Sequence, residues 1–307
     1  MSSIKLVSTP ILNYYDSKIK AYMDDKFAKK NDTVSNPNLL INPNFKINQR
    51  GITSGQVLES GKYTVDRWAV NYNTGGFQKS ITITSESITL TTTLGNDSGY
   101  WGDMYQKFET PIPPGYYSMS AKINGEIRTF SGYLEKDGVL FDGVFVLYQT
   151  SFRIRFGIDE MTIEWVKLEV GPVATQFVPP DPATELMKCY RYFYRVGRGI
   201  ANPNHTSNFN RICYQNISNK IAGTTLQFPV EMRVTPTASV IGTPWCFRLF
   251  TNNGENVVVA GADNVNFNLQ KFGYEIVIIN DYFANAVDGF IAPLFATGYT
   301  DFDAEIY

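Results

Sequence analysis

Two parts of the chain carry residue types that could hold a sugar. Tyr100-Trp101-Gly102-Asp103 sets two aromatic rings beside a carboxylate, directly after the loop Gly95-Asn96-Asp97-Ser98-Gly99. A flat ring offers its electron-rich face to the C–H bonds of a sugar, and a neighbouring carboxylate or amide accepts hydroxyl hydrogens. Trp101 either stands at that loop edge or begins a strand running to Phe108 and belongs to the core. Nearer the C-terminus, His205 lies in the irregular polar stretch 202–208, Trp245 follows Gly242-Thr243-Pro244, and Asn252 and Asn253 fall in the amide-rich stretch 251–256. Loops on a rigid scaffold carry function. The ligand-binding candidates are therefore Tyr100, Trp101, Asp103, His205, Trp245, Asn252 and Asn253, against the plainer reading that each loop is a solvated turn.

Catalysis finds less support. The chain has no Gly-x-Ser-x-Gly, no phosphate-binding loop and no dinucleotide fingerprint. A glycosidase needs two carboxylates facing one bond. Asp159 and Glu160 are sequence neighbours at the start of a strand, so their side chains leave on opposite faces. Asp137 and Asp142 merely flank a turn. Three cysteines, Cys189, Cys213 and Cys246, lack metal spacing and read as buried free thiols. His205 is the single histidine, and no acidic loop has calcium spacing. No catalytic residue, metal or cofactor is expected.

The elements that must position these residues are mostly strands. At 307 residues, with 43% hydrophobic and 18% charged side chains, the chain suffices for two domains with their own cores. Aromatic residues make up 14%, which suits either recognition surfaces or strand interiors. A formal net charge of -2 leaves no basic footprint for nucleic acid. No apolar run reaches membrane-spanning length, and the polar first twenty residues are unlike a signal peptide, so synthesis in a cytoplasm without export by that route is expected.

Leu12, Tyr15, Ile19 and Tyr22 recur at heptad spacing and predict a short helix over 10–30. Two heptads do not hold alone in water, so the stripe must pack on its own domain or on copies of itself around a symmetry axis. The polar stretch 31–38 reads as a linker. Alternating runs at 81–84, 87–91, 116–123, 143–148 and 152–156 predict strands, separated by turns at Gly75-Gly76, Asn124-Gly125 and Asp137-Gly138. In the run 161–170, Met161, Ile163 and Trp165 share one face while Val166, Leu168 and Val170 share the other. Either a bulge shifts the phase or the strand is buried on both sides. Trp68 reads as core, Trp165 as core or interface, and Asp66 and Arg67 as a possible pair. Asp181 can cap a helix running from Ala183 to about Phe193, with Pro182 at its first position.

Several of these segments carry a family signature. The stretch 38–51 (NLLINPNFKINQRG), Tyr63-Thr64-Val65-Asp66-Arg67-Trp68, and 165–180 (WVKLEVGPVATQFVPP) together resemble the opening and closing strands of jelly-roll, carbohydrate-binding-module-like domains of bacteriophage tail fibres and receptor-binding proteins. Glu185-Leu186 and Cys189-Tyr190-Arg191-Tyr192-Phe193 look like the junction helix of many phage tail proteins. The segment 228–236 (FPVEMRVTP) is similar to a step of fibre tip domains, and Asp303-Ala304-Glu305-Ile306 to their last edge-sealing strand. The resemblance implies an all-β protein of two β-sandwich (jelly-roll-like) domains, with a short N-terminal helix and a connecting helix. Its divisions would be 1–37, 38–180 and 181–307. It further implies a homotrimer with Leu12, Tyr15, Ile19 and Tyr22 at the interface. Its partners would be other tail or baseplate proteins and a host surface glycan or cell-wall polysaccharide, its place the virion, and its action non-catalytic. A structural spacer without a receptor site is the alternative, and a glycan depolymerase a third.

Overall fold

The computed structural model describes residues 18, 35–95, 99–198, 212–213, 215–218, 221–241, 245–251, 254–260, 265–279, 288–292 and 298–306, and the structural statements below concern these. The N-terminal stripe Leu12, Tyr15, Ile19 and Tyr22 lies outside them.

The fold is predominantly antiparallel β. A six-stranded sheet runs in the order β1 (Gln56–Val57), β3 (Gln78–Ile83), β4 (Ile88–Leu94), β11 (Met161–Val170), β6 (Gly115–Ile123) and β7 (Glu126–Leu134). A five-stranded sheet runs β2 (Ala69–Tyr72), β5 (Gly102–Lys107), β10 (Ser151–Phe156), β9 (Phe145–Tyr148) and β8 (Val139–Phe141). Side chains alternate along each strand, so each sheet gives one apolar face to a shared core. Ile81, Ile88, Leu90, Met119 and Leu168 come from the first sheet, and Val70, Met104, Phe145, Leu147, Phe152 and Ile154 from the second. Asn124 and Gly125 both adopt positive φ, 52° and 81°, which is the two-residue turn that matches strand twist, and they close the β6–β7 hairpin.

Strand β11 answers to both readings of its mixed pattern. Its register against β6 shifts between Ile163 and Trp165, which is a bulge. Beyond the bulge, Val166 and Leu168 face the core while Lys167 and Glu169, on the other face, are buried too. A strap covers that outer side. Lys167 Nζ donates to Thr175 Oγ1 (2.6 Å), Gln176 O (3.0 Å) and Ser35 Oγ (3.0 Å), and Glu169 accepts from Thr175 N (2.7 Å) and Oγ1 (2.6 Å).

Residues of 38–68 form one hydrogen-bonded knot. Leu39 N donates to Leu168 O, and Asn38 Oδ1 accepts from Leu168 N, so this segment lines an edge of β11. Asn42, at φ 53°, caps Ile47 N with Oδ1 and donates through Nδ2 to Ile47 O and Asp66 O. Trp68 is fully buried, as its pattern predicts, and its indole N–H donates to Asn42 O (2.9 Å).

Past β11 the chain forms α1 (Pro182–Tyr190), capped by Asp181, whose side chain accepts from Thr184 N. The helix stops at Tyr190, three residues short of expectation, because Phe193 opens β12 (Phe193–Arg198). A three-stranded sheet joins β12, β22 (Gly298–Asp303) and β16 (Thr237–Ile241). Two four-stranded sheets follow. One orders β13 (Ile212–Cys213), β21 (Asp288–Ala292), β17 (Trp245–Thr251) and β18 (Gly254–Ala260); the other β14 (Gln215–Ser218), β15 (Ile221–Gln227), β20 (Gly273–Ile279) and β19 (Val265–Leu269). Phe228, Tyr274 and Phe302 form an aromatic cluster here, with Tyr274 and Phe302 centroids 4.4 Å apart. Cys189 is buried and free, its thiol pushed up by burial; the side chains of Cys213 and Cys246 lie outside the described residues.

The expected pairing of Asp66 with Arg67 does not occur. Arg67, held at φ 72°, is buried against Glu305, a partner 238 positions away, and its second amino group donates to Lys107 O (2.7 Å). Asp66 instead accepts from Gln49 N (2.6 Å) and Nε2 (2.7 Å). Of the segment 303–306 only Asp303 is strand. β22 ends at Asp303; Ala304 N donates to Tyr192 O (2.8 Å), Glu305 meets Arg50 and Arg67 of the 49–67 knot, and Tyr63 donates to Ile306 O (2.8 Å). Arg50 bridges Asp303 (3.3 Å) and Glu305 (3.4 Å), and its guanidinium carbon lies 3.9 Å from the Phe193 ring centroid.

Removing one partner of a buried ion pair strands the other. Glu305→Ala is expected to lower unfolding free energy by about 3–5 kcal/mol, read from the denaturant midpoint. Asp66 titrates high, at about 6, chiefly because burial disfavours its charged form, although Gln49 and Arg50 pull it down. A raised acid loses stability as pH climbs from its unfolded value near 4 through its folded one. Asp66→Asn should therefore remove a decline on the order of 3 kcal/mol between about pH 4 and 6, visible as the difference between wild-type and variant stability curves. An unchanged difference across that range would show that Asp66 is not the titrating group.

Candidate functional site

The outer face of the five-stranded sheet gathers aromatic and charged side chains. Outward positions alternate with the core residues Met104 on β5, Phe152, Ile154 and Phe156 on β10, and Phe145 and Leu147 on β9. Register then decides who meets whom. Arg155 lies opposite Asp103, and Arg153 opposite Tyr105 on one side and Val146 on the other. The β8–β9 pairing sets Phe141 opposite Val146 and Val139 opposite Tyr148.

Asp103 organises this face. It is 1% exposed, with Oδ1 3.0 Å from Arg155 Nε and Oδ2 3.4 Å from an Arg153 amino nitrogen. A buried carboxylate needs such partners, since an unpaired one costs several kcal/mol. Each guanidinium in turn lies on rings. The Arg155 carbon is 3.8 Å from the Trp101 centroid and 5.0 Å from Phe141; the Arg153 carbon is 5.1 Å from Tyr148 and 5.6 Å from Tyr105. Such contacts hold a planar cation flat against the ring. Phe141 and Tyr148 stay 48% and 36% exposed, and both arginine side chains are partly exposed. The Tyr105 hydroxyl is raised by burial, with Arg153 opposing. Two cations against one anion leave the cluster with a net positive charge.

Trp101 is fixed from behind. Its backbone N–H donates to Asn73 Oδ1 and its carbonyl accepts from Asn73 N–H, both at 3.0 Å. The arrangement can present aromatic edges, guanidinium N–H donors and a positive potential to one face of a ligand. Among the described residues no group of three or more His, Cys, Asp or Glu could hold a metal ion, and no helix is long and apolar enough to cross a membrane.

The structure unites two of the sequence candidates and separates a third. Trp101 and Asp103 share the outer face, but Asp103 is spent on two arginines and is not an open acceptor. Tyr100, one residue earlier, packs against Phe77 at 6.0 Å and belongs to the edge of the core. His205, Asn252 and Asn253 lie outside the described residues, as does the side chain of Trp245, whose backbone opens β17. Sequence reasoning missed Arg153, Arg155, Tyr105, Phe141 and Tyr148. The signal was present in Ser151-Phe152-Arg153-Ile154-Arg155-Phe156, where strict alternation puts both arginines on the face away from the core.

Trp165 is not core, which rules out one of its two readings. It is half-buried, and its ring lies parallel to that of Phe177 at 4.6 Å. No family model matches the chain, and no curated protein matches it.

Asp103→Ala would set two partly desolvated arginines side by side without their shared anion. The expected loss is on the order of 2 kcal/mol by chemical denaturation, less than for a fully buried pair because both arginines reach solvent.

Proposed function

We propose that this chain is a phage tail fibre or receptor-binding protein that attaches its particle to a host surface glycan or cell-wall polysaccharide without cleaving it. In this reading residues 38–180 form a jelly-roll, carbohydrate-binding-module-like sandwich, and residues 181–307 a connecting helix followed by a β-sandwich tip. The stripe Leu12, Tyr15, Ile19 and Tyr22 would assemble three copies, with other tail or baseplate proteins holding the N-terminal end. Weak sites repeated in threes give avidity without new contacts.

The observation that carries the reading is the outer face around Trp101, Arg153 and Arg155. Rings and guanidinium groups there are fixed before any ligand arrives, so little ordering cost remains for binding. Its net positive charge favours a glycan bearing carboxylate or phosphate groups. The knot of 38–68, built from the residues that carry the family signature, supports the fold assignment.

A spacer role is the second reading, favoured by the buried ion pairs of Arg50 and Arg67, which couple the 49–67 knot to the C-terminal segment. An array of bacterial surface polysaccharides probed with the full chain separates the two. Binding of an acidic polysaccharide that weakens at least tenfold in Trp101→Ala and Arg155→Ala, with thermal midpoints held near wild type, supports receptor binding. Retention of no polysaccharide leaves the spacer.

A further inference from the structure

We propose a second saccharide site, for a neutral pyranose ring, in the groove between the strap and the outer face of the six-stranded sheet. It rests on the reading of this chain as a glycan binder but lies on the opposite sheet from the arginine cluster. The groove has a volume of about 390 Å³, within the roughly 300–1,000 Å³ usual for small-ligand sites. Its walls include Ser120, Ile127, Trp165, Gln176 and Phe177, and no charged side chain lines it.

Three features point to a ligand. The first is the wall. Trp165 and Phe177 stack in parallel and remain half-buried, an apolar strip that water covers poorly; Ile127, 65% exposed, lines the groove across Lys122, which pairs with Glu164 (2.7 Å). Such a strip matches the C–H face of a sugar ring.

The second feature is an unmet hydroxyl. Ser120 is 3% exposed and its Oγ has no hydrogen-bond partner among the described residues. Its neighbour on the same face, Ser118, is served by Ser131 Oγ (2.8 Å) and Gly171 O (2.7 Å). The orphan therefore lines the groove beneath the strap. Buried polar groups are almost always paired, so this one calls for a partner brought from outside, and a sugar hydroxyl can both donate and accept.

Rigidity is the third. The strap is pinned from beneath by the buried Lys167–Glu169 pair (3.2 Å), whose hydrogen bonds run to Thr175 and Gln176. The wall carrying Phe177 is thus held in place before binding. A lining without charged side chains, an apolar strip and the unmet Ser120 hydroxyl, with Thr129 and Thr175 beside it, select a neutral ring over an anionic one.

The test titrates the full chain with neutral monosaccharides and disaccharides (hexoses, deoxyhexoses and N-acetylhexosamines), followed by saturation-transfer NMR and calorimetry. At least one is expected to bind, and Trp165→Ala should weaken it at least tenfold. Ser120→Ala should weaken it about threefold to tenfold while leaving the thermal midpoint equal or higher, since it removes an unpaired polar atom. Ile127→Lys, at an exposed position, should block the groove without touching the core. Trp101→Ala should leave this binding intact. Neutral-sugar binding that survives both Ser120→Ala and Ile127→Lys, or that is lost in Trp101→Ala, overturns the groove while the arginine-cluster reading stands. Acidic polysaccharide binding with no response to any neutral sugar overturns the groove alone. No response to either class overturns both.

Discussion

Burying a charge is tolerable only where its opposite is buried with it, and this chain does so where residue 67 meets residue 305. Arg67 lies within the 49–67 knot, its guanidinium carbon 3.6 Å from the Tyr192 ring centroid, and Glu305 neutralises it. Around this pair stand Arg50 on Asp303 and Glu305, Glu185 accepting from Asn42 N (2.6 Å), and Gln49 Nε2 donating to Phe193 O (3.0 Å). Buried pairs add little net stability, but a misplaced one is expensive. The arrangement therefore specifies geometry. The knot, the start of β12 and the segment after β22 have one low-energy way to meet.

The same rule governs both outer faces of the N-terminal sheets. On one, Asp103 anchors Arg153 and Arg155 beneath exposed rings; on the other, Lys167 and Glu169 anchor the strap. In each case a buried charge fixes the position of an aromatic side chain: Trp101 by contact with Arg155, Phe177 through the strap that carries it. Surfaces that hold their rings still are suited to weak, selective contacts, because little conformational entropy is lost on binding.

Much of this was legible in the sequence where the cause is local. The Asn124-Gly125 hairpin, strand alternation, the Asp181 cap and the burial of Trp68 follow from neighbours a few residues apart and are found as expected, whereas Asp137-Gly138 joins β7 to β8 in the other sheet and closes no hairpin. The doubled pattern of β11 was readable as bulge or two-sided burial; the strand has both. What eluded sequence reasoning depends on partners far along the chain. Asp66 beside Arg67 suggests a pair, yet a positive φ at Arg67 turns it toward Glu305. Residues 303–306 alternate like a strand, yet ion pairs and the Tyr63 hydroxyl claim them as a plug. Asp103 resembles a ligand acceptor until the β5–β10 register brings two arginines onto it. Tyr100 and Trp101 look like one unit, but just before β5 they part, Tyr100 packing on Phe77 at the core and Trp101 on Arg155 outside.

The pairing of Phe193 with Asp303 has a mechanical meaning. The C-terminal sheets leave the knot through β12 and return to it through β22, its antiparallel neighbour, so their two roots are side by side. A pull on the C-terminal sheets is therefore divided between two legs, and the Arg67–Glu305 pair ties the end of the β22 leg back to the knot. Neither leg carries the whole load alone.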